Sequence, residues 1–125
     1  MTDTMKRFFG VGLTAAGDLI VGGSLVDLTV ENLFKVTTAH TYVIRHIHVM
    51  NATGSAATIT LGIGTSATPA TNDTATNRFL DAFSIPAGNT YDWSGNLVMN
   101  ADEYLFAKSG TDDVLQMTIS GIDIT

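Results

Sequence analysis

The stretch "YVIRHIHVMNATG", Tyr42 to Gly54, sets the fold problem. Its β-branched and aromatic residues read as one strand running into a turn. Under simple alternation Tyr42, Ile44, His46, His48 and Met50 point one way, and Val43, Arg45, Ile47, Val49 and Asn51 the other. Neither face is mostly charged. A strand of an antiparallel sheet ordinarily gives one face to the core and the other to water. With Ile47 and Val49 assigned to the core, Tyr42, Ile44 and Met50 are left toward water, each forgoing about 1.5–3 kcal/mol of burial. The second face therefore requires a cover: another layer of the chain, a ligand, or another copy.

Working outward, the pattern from Leu33 onward is strand, turn, strand. Strands are expected near 33–37, 41–51, 56–64, 78–85, 89–94, 96–99, 103–108 and 113–124, with turns at "NATGSA", "IPAGN", "WSGN", "MNADE" and "KSGTDD". The safest core positions are Ile59, Leu61 and Ile63 in "ATITLGIG" and Leu115, Met117 and Ile119 in "VLQMTIS". This spacing predicts an all-β chain, an antiparallel β-sandwich or jelly roll of about eight strands. The excess of apolar side chains recurs in "EYLFAK", where Tyr104 and Phe106 oppose Leu105 and Ala107, and in "RFLDAF", where Phe79 and Phe83 oppose Leu80. Residues 64–77, "GTSATPATNDTATN", break the spacing as a long loop, either a binding loop or a solvated one.

Residues 1–33 are an extended N-terminal arm preceding a sandwich domain at 34–125. The arm is Gly-punctuated, with "AAGDL" as a turn, and is too apolar for a solvated tail. It is expected to lie on its own surface or a neighbour's, gripping through Phe8, Phe9, Leu13, Leu19 and Ile20. Its start, "MTDTMKRFFGVGLTAAG", mimics a signal peptide, but the apolar run is short, Gly-interrupted and preceded by Asp3.

Composition narrows the function classes. The chain has 125 residues, 14% charged and 45% apolar, the length of one domain. Its net charge is −6 and its six basic residues are scattered, which argues against a nucleic-acid surface. The absence of cysteine removes disulfides, thiolate nucleophiles and Cys-based zinc sites, and suits a chain folded in a reducing cytoplasm, whatever its final location. No apolar run reaches the roughly 18 residues of a membrane span, so no membrane partner is expected.

Catalytic signatures are lacking. "GVGLTAAG" lacks the third glycine of a dinucleotide fingerprint, and no G-x-S-x-G, G-K-[ST] or H-E-x-x-H is present. The chain is read as non-enzymatic and without a cofactor. His46 and His48, two apart on a strand, place their rings on one face about 7 Å apart, a spacing that metal sites on sheets use, with His40 as a possible third ligand. No carboxylate lies on that strand, so the pair is read as structural, at a contact between copies, and no metal ligand is assigned. The acidic pairs Asp102–Glu103 and Asp112–Asp113 read as solvated turns, since no calcium loop is written there. Tyr91 and Trp93, with Asp92 and Asn89 nearby, are either core or interface anchors or a sugar-stacking platform. "NAT" at Asn51 and "NDT" at Asn72 match the glycosylation sequon, which is informative only for a secreted eukaryotic chain.

Taken together, the I-x-V-x-N strand end (47–51), "GSAAT" (54–58), "IPAG" (85–88), L-x-x-x-A-D-E-x-L (97–105) and "ISGIDI" (119–124) resemble small virion proteins of tailed bacteriophages with a β-sandwich body. The resemblance covers residues 33–125 and rests on turn chemistry and alternation. It implies a capsid decoration, or cement, protein, commonly a homotrimer, that binds the assembled capsid and reinforces it. Its partners would be the major capsid protein or a neighbouring virion protein. The alternative is a neck or tail accessory or fibre protein carrying a carbohydrate-binding module built on Trp93, Tyr91 and the 64–77 loop. Tyr42, Ile44, His46, His48 and Met50 are the expected contacts between copies.

Overall fold

In the computed structural model, which describes residues 3–9, 23–25, 33–110 and 114–125, the elements are as follows in chain order. They are β1 (Asp3–Phe9), β2 (Gly23–Leu25), β3 (Leu33–Lys35), β4 (Thr41–Asn51), β5 (Ala57–Gly64), α1 (Pro69–Asn72), β6 (Arg78–Ile85), β7 (Thr90–Met99), β8 (Tyr104–Ser109) and β9 (Leu115–Ile124). Among the described residues strands predominate and helix is a single turn, as an all-β reading requires. One sheet has the order β1, β9, β4, β7, with β2 also paired to β9. The other runs β3, β8, β5, β6. All described pairings are antiparallel. Ile47, Val49, Met117 and Ile119 from the first sheet share one core with Ile59, Leu61, Leu105 and Ala107 from the second, giving a sandwich-like body.

The opening strand is not a simple alternation. Against β9, Ile44 stands opposite Gly121 and His46 opposite the adjacent Ser120, so Arg45 is an extra residue on β4. One extra residue reverses the phase of everything after it. Tyr42 and Ile44 are therefore buried before the bulge, and Ile47, Val49 and Asn51 after it. This corrects the face assignment: Tyr42 (5% exposed) and Ile44 (0%) belong to the core and do not share an outer face with His46, His48 and Met50. Gly121 permits the bulge, because a Cβ there would overlap the Val43 carbonyl oxygen and crowd Ile44 Cα.

The second sheet answers the covering question from within. Thr60, Gly62 and Gly64 of β5 and Phe106 of β8 point away from the core, yet all are buried. Thr60 is held by the Ala82 N–H of β6, and the cover over the others is the 64–77 segment. A Cβ on Gly62 would collide with the Phe106 ring and the Asn77 carbonyl, and one on Gly64 with the Asn72 side chain, so the two glycines let these groups lie directly on β5. Asp73 pins the segment, accepting from Arg78 Nε at 2.7 Å and from Lys108 Nζ at 2.9 Å. Asn72 donates to the Ser66 carbonyl and accepts from the Ser66 N–H. The segment is thus a lid over an aromatic ring.

Two further expectations change. "WSGN" is not a turn, and the strands expected at 89–94 and 96–99 are one strand, β7. Its extra residue sits between Ser94 and Leu97, which face His46 and Ile44, so the glycine marks a bulge where a turn was read. In the arm, β1 and β2 both pair with β9 of the same chain. Of the expected grip, Phe8 and Phe9 lie in β1, whereas Leu13, Leu19, Ile20 and the "AAGDL" turn lie outside the described residues.

Candidate functional site

The outer face of the first sheet carries the densest chemistry among the described residues. After the bulge, β4 turns His46, His48 and Met50 outward, the first two partly exposed and Met50 39% exposed. Pairing with β7 sets Asp92 opposite His48 and Ser94 opposite His46. Directly opposed residues share a face, so the carboxylate arrives beside both imidazoles. His46 Nε2 lies 2.8 Å and His48 Nδ1 2.7 Å from the same oxygen, Asp92 Oδ1. The ring centroids are 6.2 Å apart. Hydrogen bonding from His48, and then from His46, holds the Asp92 carboxyl below its ordinary range despite an opposing desolvation effect, so it is a carboxylate at neutral pH.

On the same face an apolar row crosses the sheet. Val98, Val43 and Ile122 are successive cross-strand partners on β7, β4 and β9. Val43 and Ile122 are half-buried and Val98 is 55% exposed. Of the five expected contact residues, His46, His48 and Met50 face outward, and the apolar member of that face before the bulge is Val43.

Other candidates resolve into structural roles. Tyr91 and Trp93 face the core side of β7 and meet Phe83 and Phe79 of β6 at centroid distances of 4.7 and 6.0 Å. They close the open side of the two sheets, with Phe79 and Phe83 left 38% and 45% exposed. His40 binds the buried Asp123 at 2.7 Å, at the opposite end of β4 from His48, and so joins no cluster with the other two histidines. Asp102 accepts from Thr38 Oγ1 at 2.8 Å, tying two turns together, and Glu103 accepts the Asn100 N–H at 2.5 Å within its own turn. Asp112 and Asp113 lie outside the described residues. Asn51 and Asn72 are buried, with amides donating to the Ser55, Ile85 and Ser66 carbonyls, so both sequons are core and turn hardware.

Asp92 is the residue that sequence reasoning left out of the histidine site. Its signal was present: the 41–51 and 89–94 segments are the two strands with His-x-His and aromatic-Asp-aromatic alternation, and antiparallel pairing of the two unites them. Compared with known proteins, the chain matches no family model, no curated relative and no solved structure. No helix among the described residues is long and apolar enough to cross a membrane.

Proposed function

We propose that this protein is a structural, assembly-forming component of a bacteriophage virion, a capsid decoration protein that works as an oligomer on the particle surface. The observation that carries the reading is the apolar surface one chain leaves open: Val98 at 55%, Phe83 at 45%, Met50 at 39% and Phe79 at 38% exposure. Large apolar side chains left open on the outer face of the first sheet (Val98, Met50) and at the β6–β7 edge (Phe79, Phe83) offer surface for association. The strand order supports the same class. We read β1-β9-β4-β7 facing β3-β8-β5-β6 as a jelly roll, an architecture used by viral capsid and lectin domains, though a fold by itself does not assign a role. The resemblance of the 33–125 turn motifs to virion proteins adds the biological setting.

The mechanism is area and avidity. Each copy offers a modest apolar contact to its neighbours, and many copies on a closed shell multiply it. The partners are further copies, as a trimer, and the major capsid protein or a neighbouring virion protein. A glycan-binding role is disfavoured by Tyr91 and Trp93, whose rings pack against Phe83 and Phe79.

Two measurements test the reading. Sedimentation of the purified chain over a range of concentrations is expected to give an oligomer that Val98→Asp dissociates while its circular dichroism is unchanged. An antibody to the chain is expected to decorate the shells of particles from cells that make it. A monomer at every concentration, together with unlabelled particles, refutes the proposal; label confined to the neck or fibres moves the protein there.

A further inference from the structure

We propose that His46, His48 and Asp92 form a binding site for one divalent transition-metal ion of the zinc class, held by two imidazoles and one carboxylate, with its remaining coordination position open to the outer face. Nitrogen and carboxylate oxygen donors in this ratio suit Zn²⁺, Co²⁺, Ni²⁺ and Cu²⁺ and are poor for Ca²⁺ or Mg²⁺, which take oxygen.

The geometry converges on one point. The three ligand atoms, His46 Nε2, His48 Nδ1 and Asp92 Oδ1, all lie within 4.8 Å of one another. Ligands at about 2.0–2.1 Å around a tetrahedral ion stand about 3.3 Å apart. The two N···O separations, 2.8 and 2.7 Å, must therefore open by about half an ångström, which the half-exposed Asp92 side chain allows. The two histidines use different ring nitrogens, and that is what brings neighbouring imidazoles to bear on a common centre. With an ion bound, each imidazole directs a lone pair at it and keeps its proton on the other nitrogen.

The site is also fixed in place by its backbone. All three residues lie within paired strands, two on β4 and one directly opposite on β7. Little conformational freedom remains to be lost on binding. The bulge at Arg45 precedes the pair on β4 and the extra residue on β7 follows Ser94, so the register break lies immediately beside the site. Bulges are enriched next to functional positions because they re-aim side chains.

Charge points the same way. Two neutral imidazoles and one carboxylate give a site of charge −1 that attracts a dication, and none of the six Lys or Arg residues forms a salt bridge with Asp92 among the described residues. The fourth position opens onto the surface that carries Val98 and Met50. Water fills it in an isolated chain.

The test titrates the full chain with ZnCl₂ by calorimetry and with Co²⁺ by visible absorption. One Zn²⁺ per chain is expected. His46→Gln, His48→Gln and Asp92→Asn should each raise the dissociation constant at least tenfold, and the double histidine variant should abolish binding, with circular dichroism showing that each variant is folded. In the wild-type chain, the ring resonances of His46 and His48 should move on adding Zn²⁺ while those of His40 stay in place; this readout does not depend on any variant folding. A folded double variant that binds Zn²⁺ within twofold of the wild type, movement of His40 alone, or no saturation by about 1 mM Zn²⁺ overturns the proposal.

Discussion

Replacing Ile44 with alanine separates the bulged strand from a simply alternating one. On a simply alternating strand Ile44 lies outside with Met50, and its truncation leaves the stability of a single chain nearly untouched. In the structure Ile44 is fully buried, opposite Gly121 on one side and Leu97 on the other. The substitution removes three carbons, about 2.4 kcal/mol of transfer free energy at about 0.8 kcal/mol each, and the unfilled cavity brings the expected loss to about 2–5 kcal/mol. For a chain of 125 residues the unfolding entropy is about 0.26 kcal/mol/K, so a loss of about 3 kcal/mol lowers the melting temperature by about 12 °C. Val43→Ala, one residue away on the outer face, is expected to cost less than about 1 kcal/mol. Thermal and urea unfolding followed by circular dichroism, at concentrations where the chain is dissociated, measures both. An unchanged midpoint for Ile44→Ala with a large drop for Val43→Ala would refute the bulge and the facing built on it.

Deleting Arg45 should leave a cooperatively folding chain, because the remaining order Tyr42, Val43, Ile44, His46, Ile47, His48, Val49 alternates with every core residue still inward. Deleting His48 should abolish cooperative urea unfolding, since Ile47 and Val49 become neighbours and cannot both face the core. Gly121→Ala places a methyl group on the Val43 carbonyl and should destabilise by about 1–3 kcal/mol, read from the same curves. Asp73→Asn should lower stability at neutral pH by releasing Arg78 and Lys108. The Arg78 hydrogen bond, with smaller help from Lys108 and against the desolvation effect, depresses the folded-state value of Asp73. Its contribution is therefore complete above the unfolded carboxyl value near 3.9 and is lost as pH falls through the lower folded one. The gap between wild type and variant should close in that acidic window; a gap that widens there would contradict the ion pairs.

Much of this fold was legible because its signals are local. Strands at 41–51 and 78–85 end where the sequence places "NATGSA" and "IPAGN", and the alternation of Leu115, Met117 and Ile119 gives their burial directly. The bulge was harder to see, since a strict period of two cannot represent an inserted residue. Its trace was the apolar pair Tyr42 and Ile44 lying out of phase with the apolar pair Ile47 and Val49, which a single extra residue between them reconciles. The lid over Phe106 was hidden for a different reason: polar, turn-forming residues at 64–77 describe the segment's own backbone and not what it lies on. Asp92 sits 44 residues from His48, and only the choice of strand neighbours brings the two together.

The two outer faces of the molecule are finished in opposite ways, and the contrast bears on association. On the second sheet the chain lays a whole segment, two close-approach glycines and a carboxylate with two cationic partners over one aromatic ring. Burying a ring of that size is worth about 1.5–3 kcal/mol, set against the entropy of ordering the segment at about 1–2 kcal/mol per residue of backbone. The lid is therefore tolerable only because its own hydrogen bonds and ion pairs help to hold it. On the first sheet a comparable apolar row, Val98, Val43 and Ile122, has Val98 more than half exposed, and beside it stand polar groups that converge on one another. A second segment of the same kind would cover that row at a similar entropic cost, whereas a rigid neighbouring surface covers it with most of the ordering already done. Under the proposed association, a rigid neighbour is therefore the less costly way to hide this face.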